Sequence, residues 1–179
     1  KTLTRLAIGY EDTSNGNYKY AIQGGFDGGT QANGYTNYTV DDLPDAGGYL
    51  SLAFYDSGSN DNKRFKPAMS YYDASQSGLR YAKSSDGGAT WSADYVPGAT
   101  KNVQGLYTQL IFDNLGQANI FFFDRTNNEA RRAILNSKGW TLTDLRAGGR
   151  EMHVSQNATG NVAYSSLNEA KGLLNVYVI

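Results

Sequence analysis

Apolar and polar residues alternate along this chain in short runs, and no stretch sustains the apolar period of an amphipathic helix. Three runs align without gaps: Leu6-Ala-Ile-Gly-Tyr-Glu-Asp12, Pro67-Ala-Met-Ser-Tyr-Tyr-Asp73 and Ala118-Asn-Ile-Phe-Phe-Phe-Asp124. Each is rich in strand-forming residues and ends in Asp. A second run follows each Asp at the same interval, Tyr18–Ala21, Leu79–Ala82 and Ala130–Ala133. A weaker fourth copy reads Asn161-Val-Ala-Tyr-Ser-Ser166 and then Leu173-Leu-Asn-Val176. Successive copies lie roughly 40–60 residues apart, the period of a repeat made of a few strands.

Another shared strand stands upstream. Gly48-Tyr-Leu-Ser-Leu-Ala-Phe54 matches Leu106-Tyr-Thr-Gln-Leu-Ile-Phe112, with Arg150-Glu-Met-His-Val154 as a degenerate third. Downstream come a turn and a last strand, Trp91–Val96 and Trp140–Leu145. A full unit therefore reads strand A, strand B, Asp loop, strand C, Gly turn, strand D. The pattern predicts an all-β domain of about four blade-like antiparallel repeats, over 1–46, 47–102, 103–149 and 150–179, with essentially no helix. The first unit opens at strand B and the last stops after strand C, so both terminal blades are expected to be incomplete. Open strand edges recruit partners, which predicts a homo-oligomer or a part of a longer chain.

The Gly turn of the second unit, Ser84-Ser-Asp86-Gly-Gly88-Ala-Thr90-Trp91, is the most specific motif present. It resembles the Asp box, Ser-x-Asp-x-Gly-x-Thr-Trp, of sialidase-type (BNR-repeat) β-propellers at every fixed position. The first and third units keep remnants, Asp27-Gly-Gly-Thr30 and Ser137-Lys-Gly-Trp140. The physical roles are readable: an Asp to accept from turn amides, a Gly for positive φ, and a Trp to anchor the hairpin. The resemblance implies a structural box made by Ser84, Asp86, Gly88, Thr90 and Trp91, on the face away from the ligand site.

By the same resemblance, the B–C and D–A loops share the opposite, ligand-bearing face. That places Asp12, Asp73 and Asp124 at the ends of the B strands, with Tyr49, Tyr107 and Arg150-Glu151 beside them where the A strands begin. Lys19, Arg80 and Arg131 occupy equivalent C-strand positions, so an acid–base pair is expected to recur, as a structural bridge or as a ligand contact. Tyr10, Tyr71 and Tyr81 alternate inward as core, whereas Tyr49, Tyr72 and Tyr107 at loop mouths suit stacking on a sugar ring or a protein hot spot.

Composition narrows the chemistry. The 179 residues include 14 Tyr, 7 Phe and 2 Trp, and 21 Gly where the average is about 7%. A net charge of −1 excludes the electrostatic footprint of a general nucleic-acid binder. No Cys and a single His exclude thiol chemistry and a Cys-based zinc site, and argue against His-dependent catalysis. His153 is expected to be packed or channel-lining. No apolar run approaches a membrane span. No charged-then-apolar leader opens the chain, so any signal peptide is expected to have been removed or to lie in a longer precursor.

Two function classes follow. The first is a non-catalytic adhesin- or lectin-like module, extracellular or on the cell surface, binding a glycan or cell-surface protein. Its expected contacts are Tyr49, Tyr72, Asp73, Arg80, Tyr107, Asp124, Arg131, Arg150 and Glu151. The alternative is a sialidase-like glycoside hydrolase or a fragment of one. Sialidases use an Arg triad, a Tyr nucleophile backed by Glu, and an Asp acid/base. Their Arg-Ile-Pro signature is absent, because none of Pro44, Pro67 and Pro97 follows Arg-Ile. No cofactor is required, although the oxygen-rich segment Asp56-Ser-Gly-Ser-Asn-Asp-Asn62 has the composition of a calcium loop without its spaced Glu.

Overall fold

Every apolar run becomes a strand because each is short, bounded by turn residues and alternately faced. The computed structural model describes residues 5–24, 34–59, 64–100, 103–169 and 171–179. Among these residues there is no helix, and fourteen strands form four antiparallel sheets. The first sheet holds β1 (Ala7–Asp12), β2 (Asn17–Gln23) and β3 (Tyr35–Asp42). The second holds β4 (Ala46–Asp56), β5 (Phe65–Asp73), β6 (Gly78–Lys83) and β7 (Ser92–Tyr95). The third holds β8 (Gln104–Phe112), β9 (Ala118–Asp124), β10 (Glu129–Asn136) and β11 (Gly139–Ala147). The fourth holds β12 (Arg150–Gln156), β13 (Val162–Asn168) and β14 (Leu173–Val178). Each is a meander in chain order.

The repeated Asp explains the shared hairpin. Asp73 Oδ1 accepts hydrogen bonds from the Ser75 amide at 2.9 Å and the Ser75 hydroxyl at 2.6 Å. Asp124 accepts from the Asn127 amide at 3.1 Å and its side-chain amide at 2.8 Å, and Asp12 accepts from Asn15 Nδ2 at 2.9 Å. A short carboxylate that satisfies turn amides fixes where strand B must end.

The sheets pack face to face in sequence order: β1 against β4, β4 and β5 against β8, and β8 and β9 against β12. Tyr18, Tyr20, Met69 and Tyr71 fill the first interface; Leu79, Tyr81, Leu110, Ile120 and Phe122 fill the second; Phe121, Met152 and Tyr164 fill the third. Two contacts recur. The Trp91 indole meets the Tyr20 ring edge-on at 5.3 Å, and Trp140 meets Tyr81 at 5.3 Å, so a D-strand Trp grips the C-strand Tyr of the preceding sheet.

The Ser84–Trp91 turn sets up the first of these contacts. Ser84 Oγ donates to Asp86 Oδ1 at 2.7 Å and accepts from the Gly88 amide at 2.7 Å. Asp86 accepts from the Thr90 amide at 3.0 Å and the Thr90 hydroxyl at 2.7 Å, while Trp91 Nε1 donates to the Gly88 carbonyl at 2.9 Å. Gly88 has φ +110°, and a Cβ there would overlap the Tyr20 ring. Burial opposes ionisation of Asp86, but the Thr90 and Ser84 hydrogen bonds outweigh it and hold the carboxyl well below the usual carboxylate range.

The fourth sheet corrects one alignment. Asn168 pairs with Leu173 as Asp73 pairs with Gly78 and Asp124 with Glu129, so Leu174 and Val176 stand where Leu79 and Tyr81 stand in the second sheet. The last hairpin turns at Asn168 and not at Ser166, which shifts the last strand relative to the match on Leu173–Val176, because pairing follows the hairpin and not the apolar residue count.

Two outcomes are expected. Burial pushes the Tyr20 and Tyr81 hydroxyls up to about 12 from an ordinary 10.0. Burial first, with Glu11 and Asp41 nearby, raises Tyr18 and Tyr71 as well. Stability from a raised acid is fully present below its unfolded pKa and is lost as pH climbs to the folded value. Near-UV circular dichroism should therefore report tertiary unfolding between about pH 10 and 12, and a melting temperature flat across that window would contradict the buried-hydroxyl core. Asp86→Ala leaves turn donors without an acceptor and should cost about 1–3 kcal/mol in chemical denaturation.

Candidate functional site

Three A strands break register at the same place, between Ala46 and Leu50, between Leu106 and Gln109, and between Arg150 and His153. Inside each break a non-glycine residue has left-handed backbone: Tyr49 at φ +51°, Tyr107 at +52° and Glu151 at +49°. They are the same position in three successive repeats. Each such residue costs on the order of 1–2 kcal/mol relative to a right-handed conformation. Strain kept three times over at one end of the sheets marks a candidate site.

The bulges bring these side chains together. The Tyr49 and Tyr107 rings meet edge-on at 4.6 Å, with Tyr49 41% exposed. The Tyr107 hydroxyl is pushed up to about 12, by burial first, then by its hydrogen bond with Tyr49, and by the Glu151 carboxylate, with Arg150 opposing. Glu151 is exposed, and Arg150 donates to Glu169 Oε1 at 2.8 Å. Two aromatic rings, a carboxylate and a guanidinium thus border one accessible surface. Aromatic faces take the apolar side of a sugar ring or a peptide side chain, and the charged groups bond polar substituents.

Glu11 and Tyr18 join this end without having been singled out from the sequence. The Tyr18 hydroxyl donates to the Gly48 and Tyr72 carbonyls, both at 2.8 Å, and anchors the chain just before Tyr49. Glu11 lies against Gly48, its pKa raised by burial and by Asp45. The available signal was that Glu11 is charged where the aligned repeats carry Tyr72 and Phe123.

Other expected contacts are engaged within the protein. Asp73 and Asp124 are fully buried; Asp73 also accepts from the Tyr95 hydroxyl. Tyr72 is buried with Leu106 and Phe123 and does not stand at a loop mouth. The recurring acid–base pair is corrected by the geometry. Arg80 donates to Asp41 of the first sheet at 2.7 Å and covers the Tyr95 ring, and Lys19 donates to the Thr39 hydroxyl at 3.0 Å. Only Arg131 approaches its own turn Asp, Asp124, at 3.7 Å, and it donates more closely to Asp144 at 2.6 Å. Antiparallel pairing aims Lys19 and Arg131 across to the paired strand and packing between sheets aims Arg80 at Asp41, while the turn amides occupy the Asp. His153 is exposed and not packed.

In the oxygen-rich loop, Asp56 accepts two hydrogen bonds from Arg64, both at 2.6 Å; residues 60–63 lie outside the described set, as does the remnant at Asp27–Thr30. Among the described residues no cluster of three His, Cys, Asp or Glu is arranged to hold a metal, and no helix is long and apolar enough to cross a membrane. No protein-family model matches the chain, and no curated protein matches it.

Glu151→Gly tests the strain directly. Glycine relieves the left-handed cost but loosens the unfolded chain, so a net gain of about 0.5–1 kcal/mol is expected. Glu151→Ala keeps the strain and should bring no gain; equal denaturation midpoints for the two variants would remove the strain from the account.

Proposed function

We propose that this chain is a non-catalytic recognition module of the sialidase-type, Asp-box β-propeller kind, acting outside the cell or at its surface and binding a glycan or a cell-surface protein. The ligand sits on the end bearing Tyr49, Tyr107, Arg150 and Glu151. The observation that supports this reading is the left-handed backbone at Tyr49, Tyr107 and Glu151, one equivalent position retained as a bulky or charged residue three times. A fold under no other demand would place glycine there. The buried Asp73 and Asp124 serve the turns, which supports a ligand at the bulges and not at these carboxylates.

A hydrolase reading draws on the Tyr107–Glu151 proximity, which parallels a Tyr nucleophile backed by Glu. The electrostatics oppose it. A phenol pushed up to about 12 is scarcely ionised at neutral pH, whereas a nucleophile gains from a lowered pKa. A glycan array and a fluorogenic sialoside panel separate the readings. Binding without turnover, weakened roughly tenfold by Tyr49→Ala or Tyr107→Ala, is the expected result; turnover abolished by Glu151→Gln would reverse it.

Self-association belongs to the same proposal. Leu174 and Val176 are both 67% exposed at positions where Leu79 and Tyr81 are buried against the next sheet. On the first sheet Leu6 and Ile8 are likewise exposed, where Pro67 and Met69 are covered by a preceding sheet. A second copy stacking its first sheet on the fourth would continue the packing that already joins the four sheets. Light scattering across dilution should show mass above one chain, reduced to one by Val176→Arg.

A further inference from the structure

Between the second and third sheets, at the end carrying the Ser84–Trp91 turn, lies a cleft of about 660 Å³. This is the size range of small-ligand sites, about 300–1,000 Å³, and it lies at the opposite ends of β4 and β8 from the bulges at Tyr49 and Tyr107. Its walls include Tyr55 and Phe112, whose rings lie 5.7 Å apart, and Trp91. Gly116, at φ +73°, lets the β8–β9 turn close on the Tyr55 ring, because a Cβ there would overlap it. Hydroxyls and amides surround these rings, among them Ser85, Gln117 and Asn136.

The charge is one-sided. Lys66 and Lys83 line the cleft, and no Asp or Glu does. Lys83 pairs with Ala68, so the two lysines are diagonal neighbours on one face of adjacent strands, where like charges repel. Among the described residues neither has an ion-pair partner. The adjoining interface is built otherwise: Arg132, between the third and fourth sheets, donates to Asn119 at 3.0 Å and has Asp113 nearby. Asp56, Asp86 and Asp113 adjoin lining residues in sequence, but Asp56 is paired with Arg64, Asp86 is bonded to Ser84 and Thr90, and Asp113 accepts from the Leu115 and Gln117 amides.

We infer that this cleft binds an acidic saccharide unit, its carboxylate or sulfate held between Lys66 and Lys83 and its ring against Tyr55 and Phe112. Two lysines on a strand face supply point charges for an anion, and an anion between them relieves their repulsion. The aromatic walls and neutral polar groups select a ring bearing hydroxyls over a bare ion. The site stands independently of the one at Tyr49 and Tyr107.

Isothermal titration with glucuronic acid, N-acetylglucosamine 6-sulfate, glucose and inorganic sulfate tests it. The acidic sugars should bind, more weakly as salt rises, and glucose should not. The stronger of the two identifies carboxylate or sulfate as the preferred group. Lys66→Gln and Lys83→Gln should each weaken binding roughly tenfold, Tyr55→Ala should weaken it too, and Tyr49→Ala should leave it unchanged. The exposed Lys83 makes its variant safe for folding, and an unchanged melting temperature verifies this. Glucose binding as tightly as glucuronic acid, sulfate binding as tightly as the sulfated sugar, loss through Tyr49→Ala, or no acidic sugar bound at all would each overturn the inference.

Discussion

An indole edge set against a tyrosine ring is the contact on which the stack of sheets depends. Trp91 on Tyr20 and Trp140 on Tyr81 each tie the outer strand of one sheet to the preceding sheet, far from the A strands that pack beneath. A four-stranded meander has no stable core alone, since its two faces must both be covered. The Tyr–Trp pair fixes the angle at which the cover arrives. The Ser84–Trp91 turn then reads as a device for delivering an indole: its carboxylate stiffens the loop, and Gly88 brings the backbone onto the same Tyr20 ring.

That device divides the molecule into two ends with different demands. At the turn end the hydrogen bonds are satisfied locally and backbone strain is taken by glycines such as Gly87 and Gly88. At the other end Tyr49, Tyr107 and Glu151 carry left-handed backbone themselves, and Tyr18 braces the segment by bonding the Gly48 and Tyr72 carbonyls. Strain borne by side-chain-bearing residues persists only when packing around it is strong enough to hold it. Fully buried Tyr18 supplies that support.

Fold was legible in the sequence because its signals are local. Period-two alternation, an Asp at each B–C turn and glycine-bounded hairpins each act over a few residues, and sheets of three, four, four and three strands follow from them. The candidate site was legible only in part. Tyr49, Tyr107 and Glu151 were found because repeats align at the start of strand A, but their shared backbone conformation leaves no mark in composition. Arg80 was assigned to Asp73 by sequence proximity, yet bonds Asp41 on another sheet, a choice made by packing between repeats. The fourth repeat escapes the alignment for a related reason: Asn168, and not Ser166, closes its hairpin, and no Asp marks the turn.

Where repeats agree they serve the fold, and where they differ the chain is free to acquire chemistry. The turn aspartates Asp12, Asp73 and Asp124 agree, and each is bonded within its own turn. The position shared by Tyr20, Tyr81, Arg132 and Val176 does not. Two of these receive an indole, Arg132 turns to Asn119, and Val176 stays exposed. Glu11 replaces an aromatic in the same way, and Lys66 stands where the next repeat has Gln117. One scaffold thus tolerates a cation, an anion or an apolar face at equivalent places, because neighbouring sheets supply the covering surface and the turns supply the hydrogen bonds. Recognition can then vary between sheets while the packing that joins them does not.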